Sequence, residues 1–173
     1  MAGGHVVRVR FPAARKNMNT ILKVATVFIA TFAAGLLGLI FVGTNVGSWY
    51  AGVLTPPLAP PDAVFPILWI LLYILMACAC ALVWSKDPQN SHTEGWVRFY
   101  FIQLMFNLGW TIFFFGFHNI TLAFVDTLVL GFMVLGLTVS GSEIDKNVMY
   151  LMLPYCLWIV FALYLTGGIW LLN

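Results

Sequence analysis

Charge is what this sequence most lacks. Only 8% of its 173 residues are Asp, Glu, Lys or Arg, while 62% are hydrophobic; a soluble globular chain carries roughly 25% charged residues. That scarcity excludes an ordinary water-soluble domain and points to long segments held where ionised groups are costly. The formal net charge of +2 is too small, and the bases too little interleaved with aromatics, to hold a nucleic acid. None of His5, His92 and His118 lies inside an apolar run. A haem held by a protein imidazole is therefore not expected, whereas a metal-free macrocycle needs no such ligand. Nothing resembles HExxH, CxxCH, a P-loop or GxSxG. No paired carboxylates and no nucleophile–base set can be assembled, so no metal ligand and no catalytic residue is assigned. Cys78, Cys80 and Cys156 all fall in apolar runs. The first two, two apart on a helix, point in different directions and cannot chelate together, so the three read as buried free thiols. No internal repeat or discontinuous helix pair argues for a secondary transporter.

What is present is a series of long apolar runs. A helical span needs about 20 apolar residues, and the chain has room for five in one domain. The expected fold is an all-α membrane protein, a five-transmembrane-helix bundle over residues 18–173, with spans at about 20–42, 63–84, 96–117, 120–139 and 148–172. Residues 1–17 hold Arg8, Arg10, Arg15 and Lys16 and no acid. They read as a basic, disordered arm, a membrane-anchor flank or targeting segment, with Met18 as an alternative start. All eight basic residues (Lys23, Lys86, Arg98 and Lys146 are the others) fall on the N-terminal side of a five-span topology. In a bacterial inner membrane this puts the N-terminus in the cytoplasm and the first loop and C-terminus outside. Which membrane holds the protein stays open.

The spans are richer in aromatics and amides than lipid solubility requires. Trp69, Tyr73, Met76 and Cys80 recur at i, i+4, i+7, i+11 and so share one helical face. Gln103, Asn107, Trp110 and Phe114 repeat that spacing in the third span. Amides in hydrocarbon need partners, so this face is expected to look inward. Trp84, Trp96 and Trp170 suit an interfacial belt. Trp69, Trp110 and Trp158 lie nearer mid-span, where an indole N–H needs a helix or a cavity to face; core packing and the lining of a ligand cavity both account for them. Asp126 is the acid well inside a span, a functional candidate by default, though a structural hydrogen bond serves equally. Thr31, Ala34, Gly35 and Gly38 form a small-residue stripe suited to close helix contact. Between the first two spans, the connector 43–62 carries Trp49-Tyr50 and Pro56, Pro57, Pro60 and Pro61 and no base. Its prolines forbid continuous helix, and it reads either as a lid over the bundle mouth or as a plain linker.

In this order, Trp49-Tyr50, Pro56, Pro60-Pro61, Trp69-x-x-Leu72-Tyr73, Gln103-x-x-x-Asn107-x-x-Trp110, Phe114-Phe115-Gly116, Ala123-x-x-Asp126 and Pro154-Tyr155-x-x-Trp158-x-x-Phe161-Ala162 resemble the translocator protein family (TspO/MBR, tryptophan-rich sensory proteins, peripheral benzodiazepine receptors). The resemblance runs from Trp49 to Trp170. It implies a five-helix bundle, usually a homodimer, whose first loop closes over a pocket for porphyrins, sterol-like lipids and synthetic aromatic ligands. By resemblance, Trp110 and Trp158 are pocket tryptophans and Asn107 the pocket-side amide. Tyr155, Phe161, Ala162 and Leu165 face the ligand from the fifth span, the last two at positions associated with sterol recognition. Trp49, Tyr50, Trp69, Tyr73, Gln103, Phe114 and Asp126 complete the expected ligand-binding set.

Leu58 and Ala63 stand where the family often has Trp, and Thr166 where it usually has Asn. Gly167-Gly168 replaces an aromatic pair. These departures bear on light-driven porphyrin breakdown and on cholesterol specificity more than on binding itself. The leading expectation is a membrane receptor or carrier that binds protoporphyrin-like tetrapyrroles without a required cofactor. The alternatives are a light-dependent protoporphyrin-degrading enzyme acting near Trp110 or Trp158, and a sterol or lipid transporter whose first-span stripe is a dimer face.

Overall fold

The computed structural model describes residues 12–61, 63–86 and 90–173, with the side chains of residues 12–18 and of Thr44 left aside. Five helices form: α1 (Pro12–Asn45), α2 (Val64–Lys86), α3 (Ser91–Thr111), α4 (Ile120–Ile144) and α5 (Lys146–Leu172). All five carry a stretch long and apolar enough to cross a membrane. Among the described residues there is no strand. The protein is therefore an all-helical, multi-pass membrane protein.

The helices run past the expected spans wherever polar residues have a local partner. Pro12 to Asn17, expected to belong to the arm, are the first turns of α1; residues 1–11 of the arm lie outside the described residues. The polar segment before Trp96 is helical from Ser91, because the Asn90 side chain accepts from the His92 N–H and caps the first turn. The segment 140–144 is also helical, and Ser140 and Ser142 satisfy their own hydroxyls on the Gly136 and Val139 carbonyls. Asp145 then ends α4, and its carboxylate accepts from the Asn147 N–H to start α5.

Side-chain packing closes a ring in the order α1, α2, α5, α4, α3, with α4 and α5 in the most extensive contact and α2 crossing the interior to α3. Outward faces are apolar: Ile29, Phe132, Leu157 and Val160 are each more than half exposed, which suits lipid and not water. The small-residue stripe of α1 faces into its own bundle. The Thr31 hydroxyl pairs with the Tyr100 hydroxyl at 2.7 Å, the Tyr73 ring edge occupies the space a Gly35 side chain would need, and Gly38 lies against Thr111. A dimer face built on that stripe is thus corrected: α2 and α3 of the same chain already cover it.

Both ends are stitched. At one, the Lys86 ammonium meets the Asp145 carboxylate at 2.6 Å, joining the end of α2 to the α4–α5 turn. At the other, His118 Nε2 pairs with Asn45 Oδ1 at 3.0 Å, joining the α3–α4 turn to the end of α1.

Candidate functional site

The third helix does not end cleanly. From Ile112 to Gly116 it widens into a π-turn, the Phe117 N–H reaching the Ile112 carbonyl, and the chain then turns at His118 with φ of 52°. Consecutive residues on an α-helix diverge by about 100°. The extra residue of the π-turn lets both Phe114 and Phe115 bury. Their rings pack edge-on at 4.9 Å, and Phe114 stacks on Trp110 at 5.1 Å and 8°.

The first loop settles on this platform. Trp49 lies edge-on to Phe114 at 5.2 Å and stacks on the His118 imidazole at 4.4 Å. Tyr50 meets both phenylalanines near 6 Å. Further along, Pro56 is buried against Gly168 of α5, where an added Cβ would come within 2.7 Å of the proline ring. The Asn173 amide pairs with both the N–H and the carbonyl of Leu54, at 3.1 and 3.0 Å, and the Tyr164 hydroxyl donates to the Pro57 carbonyl. The connector is thus fastened across the bundle end, with its boundary residue 62 outside the described set. The glycine pair at 167–168 gains a physical reason: Gly168 makes room for the loop and Gly167 for the Phe124 ring.

A second aromatic tier lies between α2 and α5. Trp69 packs on Tyr73 at 5.4 Å, on Trp158 at 6.2 Å and on Tyr155 at 6.5 Å. Phe65 and Phe161 flank Trp158. A line of hydrogen bonds crosses behind it. The Tyr73 hydroxyl donates to Asn107 Oδ1 (2.8 Å), Asn107 Nδ2 donates to the Tyr155 oxygen (3.0 Å), and the Tyr155 hydroxyl donates to Gln103 Oε1 (3.1 Å). Three helices are joined on Asn107 and Tyr155.

The predicted residues therefore fall into two groups. Trp69, Tyr73, Gln103, Asn107, Tyr155, Trp158 and Phe161 form one neighbourhood; Trp49, Tyr50, Trp110 and Phe114 form the other. Leu165 is buried and Ala162 half-buried on α5. Asp126, buried on α4, brings Oδ1 against Gly109, where an added Cβ would lie 3.3 Å away, while its Oδ2 has no hydrogen-bond partner. Among the described residues, three buried side-chain nitrogens also lack partners: Gln103 Nε2, Trp110 Nε1 and Trp158 Nε1. Trp96, expected in an interfacial belt, is instead buried; its indole N–H donates to the Leu137 carbonyl at 2.9 Å and locks α3 to α4.

Two surface cavities, of about 450 Å³ beside the α3–α4 turn and Trp170 and about 290 Å³ beside Trp96 and Leu137, include none of the predicted ligand residues. Among the described residues no three His, Cys, Asp or Glu side chains gather as a metal set.

Sequence reasoning missed Phe65, Phe115, Tyr164 and Asn173. The run of three phenylalanines before Gly116 was a visible signal for Phe115; Asn173 offers none.

A five-helix bundle with an aromatic interior and a fastened loop defines a class of integral membrane protein. The family model described as TspO/MBR matches residues 26–171, and the chain belongs to that family. It is 35% identical to a tryptophan-rich protein TspO of Archaeoglobus fulgidus over 88% of this chain and 98% of that protein. It is 31% identical to protein CrtK of Rhodobacter capsulatus, over 86% and 91%, and 30% identical to the translocator protein of Ovis aries, over 79% and 81%.

Proposed function

We propose that the protein is a membrane receptor or carrier that takes a protoporphyrin-like tetrapyrrole into its bundle, beneath the first loop. One observation carries the reading: Trp69, Trp158 and Tyr155 present large aromatic faces in mid-bundle, backed by a fixed polar line, and a second aromatic tier under the loop lies above them. Flat apolar ligands gain most from such walls, through burial and through ring–ring contact worth about 0.5–1.5 kcal/mol per pair beyond area. The loop's fastening at Asn173 and Tyr164 gives it a closed state that must loosen for ligand exchange.

The test replaces Trp110 and Trp158 together by Phe and measures protoporphyrin affinity in the dark. Loss of two indole walls at about 1 kcal/mol each gives a decrease of roughly tenfold to thirtyfold. Unchanged affinity would remove these residues from the site.

A further inference from the structure

We propose that Gln103 reads the ligand, donating from its amide nitrogen to a peripheral oxygen of the tetrapyrrole, and that Asn107, Tyr155 and Tyr73 serve to position it. The inference rests on the porphyrin reading above and narrows it to oxygen-bearing tetrapyrroles.

Tyr73 gives its proton to Asn107, Asn107 gives an N–H to Tyr155, and Tyr155 gives its proton to Gln103. Each donor along the line finds an acceptor until the last. Gln103 is fully buried, its Oε1 is engaged, and its Nε2 has no partner. A buried amide N–H left unmet is costly, more so inside a bilayer where no water competes to satisfy it. Asn107 is better matched: its oxygen accepts from Tyr73 and its nitrogen donates one N–H to Tyr155. Of the two amides on the inward face of α3, Gln103 is the one whose nitrogen has no partner.

The direction of the unmet demand identifies the ligand chemistry. Among the described residues, three of the four buried side-chain polar atoms without partners are N–H donors, on Gln103, Trp110 and Trp158; the fourth is the Asp126 oxygen. Trp158 stands one turn from Tyr155 on α5, and the Tyr155 hydroxyl is hydrogen-bonded to Gln103. An excess of donors asks for an acceptor. The ring nitrogens of a porphyrin lie at the centre of the macrocycle, screened by its own edge. Carboxylate or carbonyl oxygens at the periphery are the acceptors a side chain in the wall can reach.

The measurement compares two porphyrins in the purified, full-length protein: protoporphyrin IX, with two carboxylates, and etioporphyrin, with an all-alkyl periphery. The native protein is expected to favour the first by about tenfold, the worth of a hydrogen bond to a charged acceptor. Gln103→Met, of similar length and without the amide, should bring the ratio close to one. Tyr155→Phe keeps the amide but frees its orientation and should give an intermediate ratio. A purely packing role for Gln103 would weaken both porphyrins alike and leave the ratio intact, which would overturn the inference. So would equal affinity for both porphyrins in the native protein, the result expected if an internal water satisfies Nε2. Absence of saturable binding for either porphyrin would instead overturn the porphyrin reading, and this inference with it. Should Gln103→Met fail to assemble, the side-chain amide resonance of Gln103 in the native protein decides. A shift with protoporphyrin and none with etioporphyrin supports the assignment; no shift with either bound porphyrin overturns it.

Discussion

Asn107 shows how much one side chain can carry in a bilayer. It holds Tyr73 of α2 and Tyr155 of α5 to α3 through two hydrogen bonds. In hydrocarbon neither hydroxyl has water to fall back on. Asn107→Leu keeps the branching and the number of heavy atoms and removes both bonds, leaving the Tyr73 hydroxyl without its acceptor. The expected cost is about 1–3 kcal/mol, read as an earlier unfolding midpoint in detergent; an unchanged midpoint would mean the line is not structural. The inward direction of Gln103 and Asn107 was legible, because amides seven and three residues before Trp110 on an apolar helix have one place to go. Which amide would be left with an unmet donor was not legible. That depends on tyrosines from α2 and α5, and their registers are set by packing rather than by local sequence. Trp96 makes the same point in reverse: its place near a span end suited a lipid interface, yet the Leu137 carbonyl of α4 captures its indole N–H.

At the scale of the element, the spans could be read from length and apolarity alone, and their ends could not. Ser140, Ser142, Asn90 and Asp145 look like turn residues in sequence, yet the serines bond back within α4 while Asn90 and Asp145 cap helix starts. The π-turn had no readable period, since one extra residue in a run of Ile-Phe-Phe-Phe-Gly leaves the apolar pattern unbroken. Two predictions belong here. The loop's fastening predicts that Asn173→Ala, which deletes two hydrogen bonds to Leu54, speeds porphyrin release by roughly tenfold, at about 0.5–1.5 kcal/mol per bond. It should also raise amide exchange at Leu54; unaltered release would show that the loop does not gate the site. The other concerns the Lys86–Asp145 clasp. The hydrogen bond from Lys86, aided by the Asn147 amide, holds the Asp145 carboxyl below its usual range. A depressed carboxylate contributes stability that is present above its unfolded value of about 3.9 and is lost as pH falls through the lower folded value. Native protein should therefore lose stability on acidification below about pH 4, and Asp145→Asn should lose less. Parallel acid profiles for the two would contradict the clasp.

For the whole molecule, the ring order α1, α2, α5, α4, α3 explains why the aromatic residues of α2, α3 and α5 converge. It also explains why the small residues of α1 serve as an inner wall. Helices that are apolar on every side give no periodic sign of their neighbours, so this order was not readable; the family resemblance implied five helices in a bundle and not their order. The central claim is that the interior of this ring takes a porphyrin. Its most direct measurement is a dark titration of the native, full-length protein with protoporphyrin IX, following tryptophan fluorescence against a detergent-only control. Quenching that saturates at a fixed stoichiometry and reverses with competing porphyrin is the predicted result. Quenching that rises linearly, as for pigment dissolving in the micelle, would contradict it.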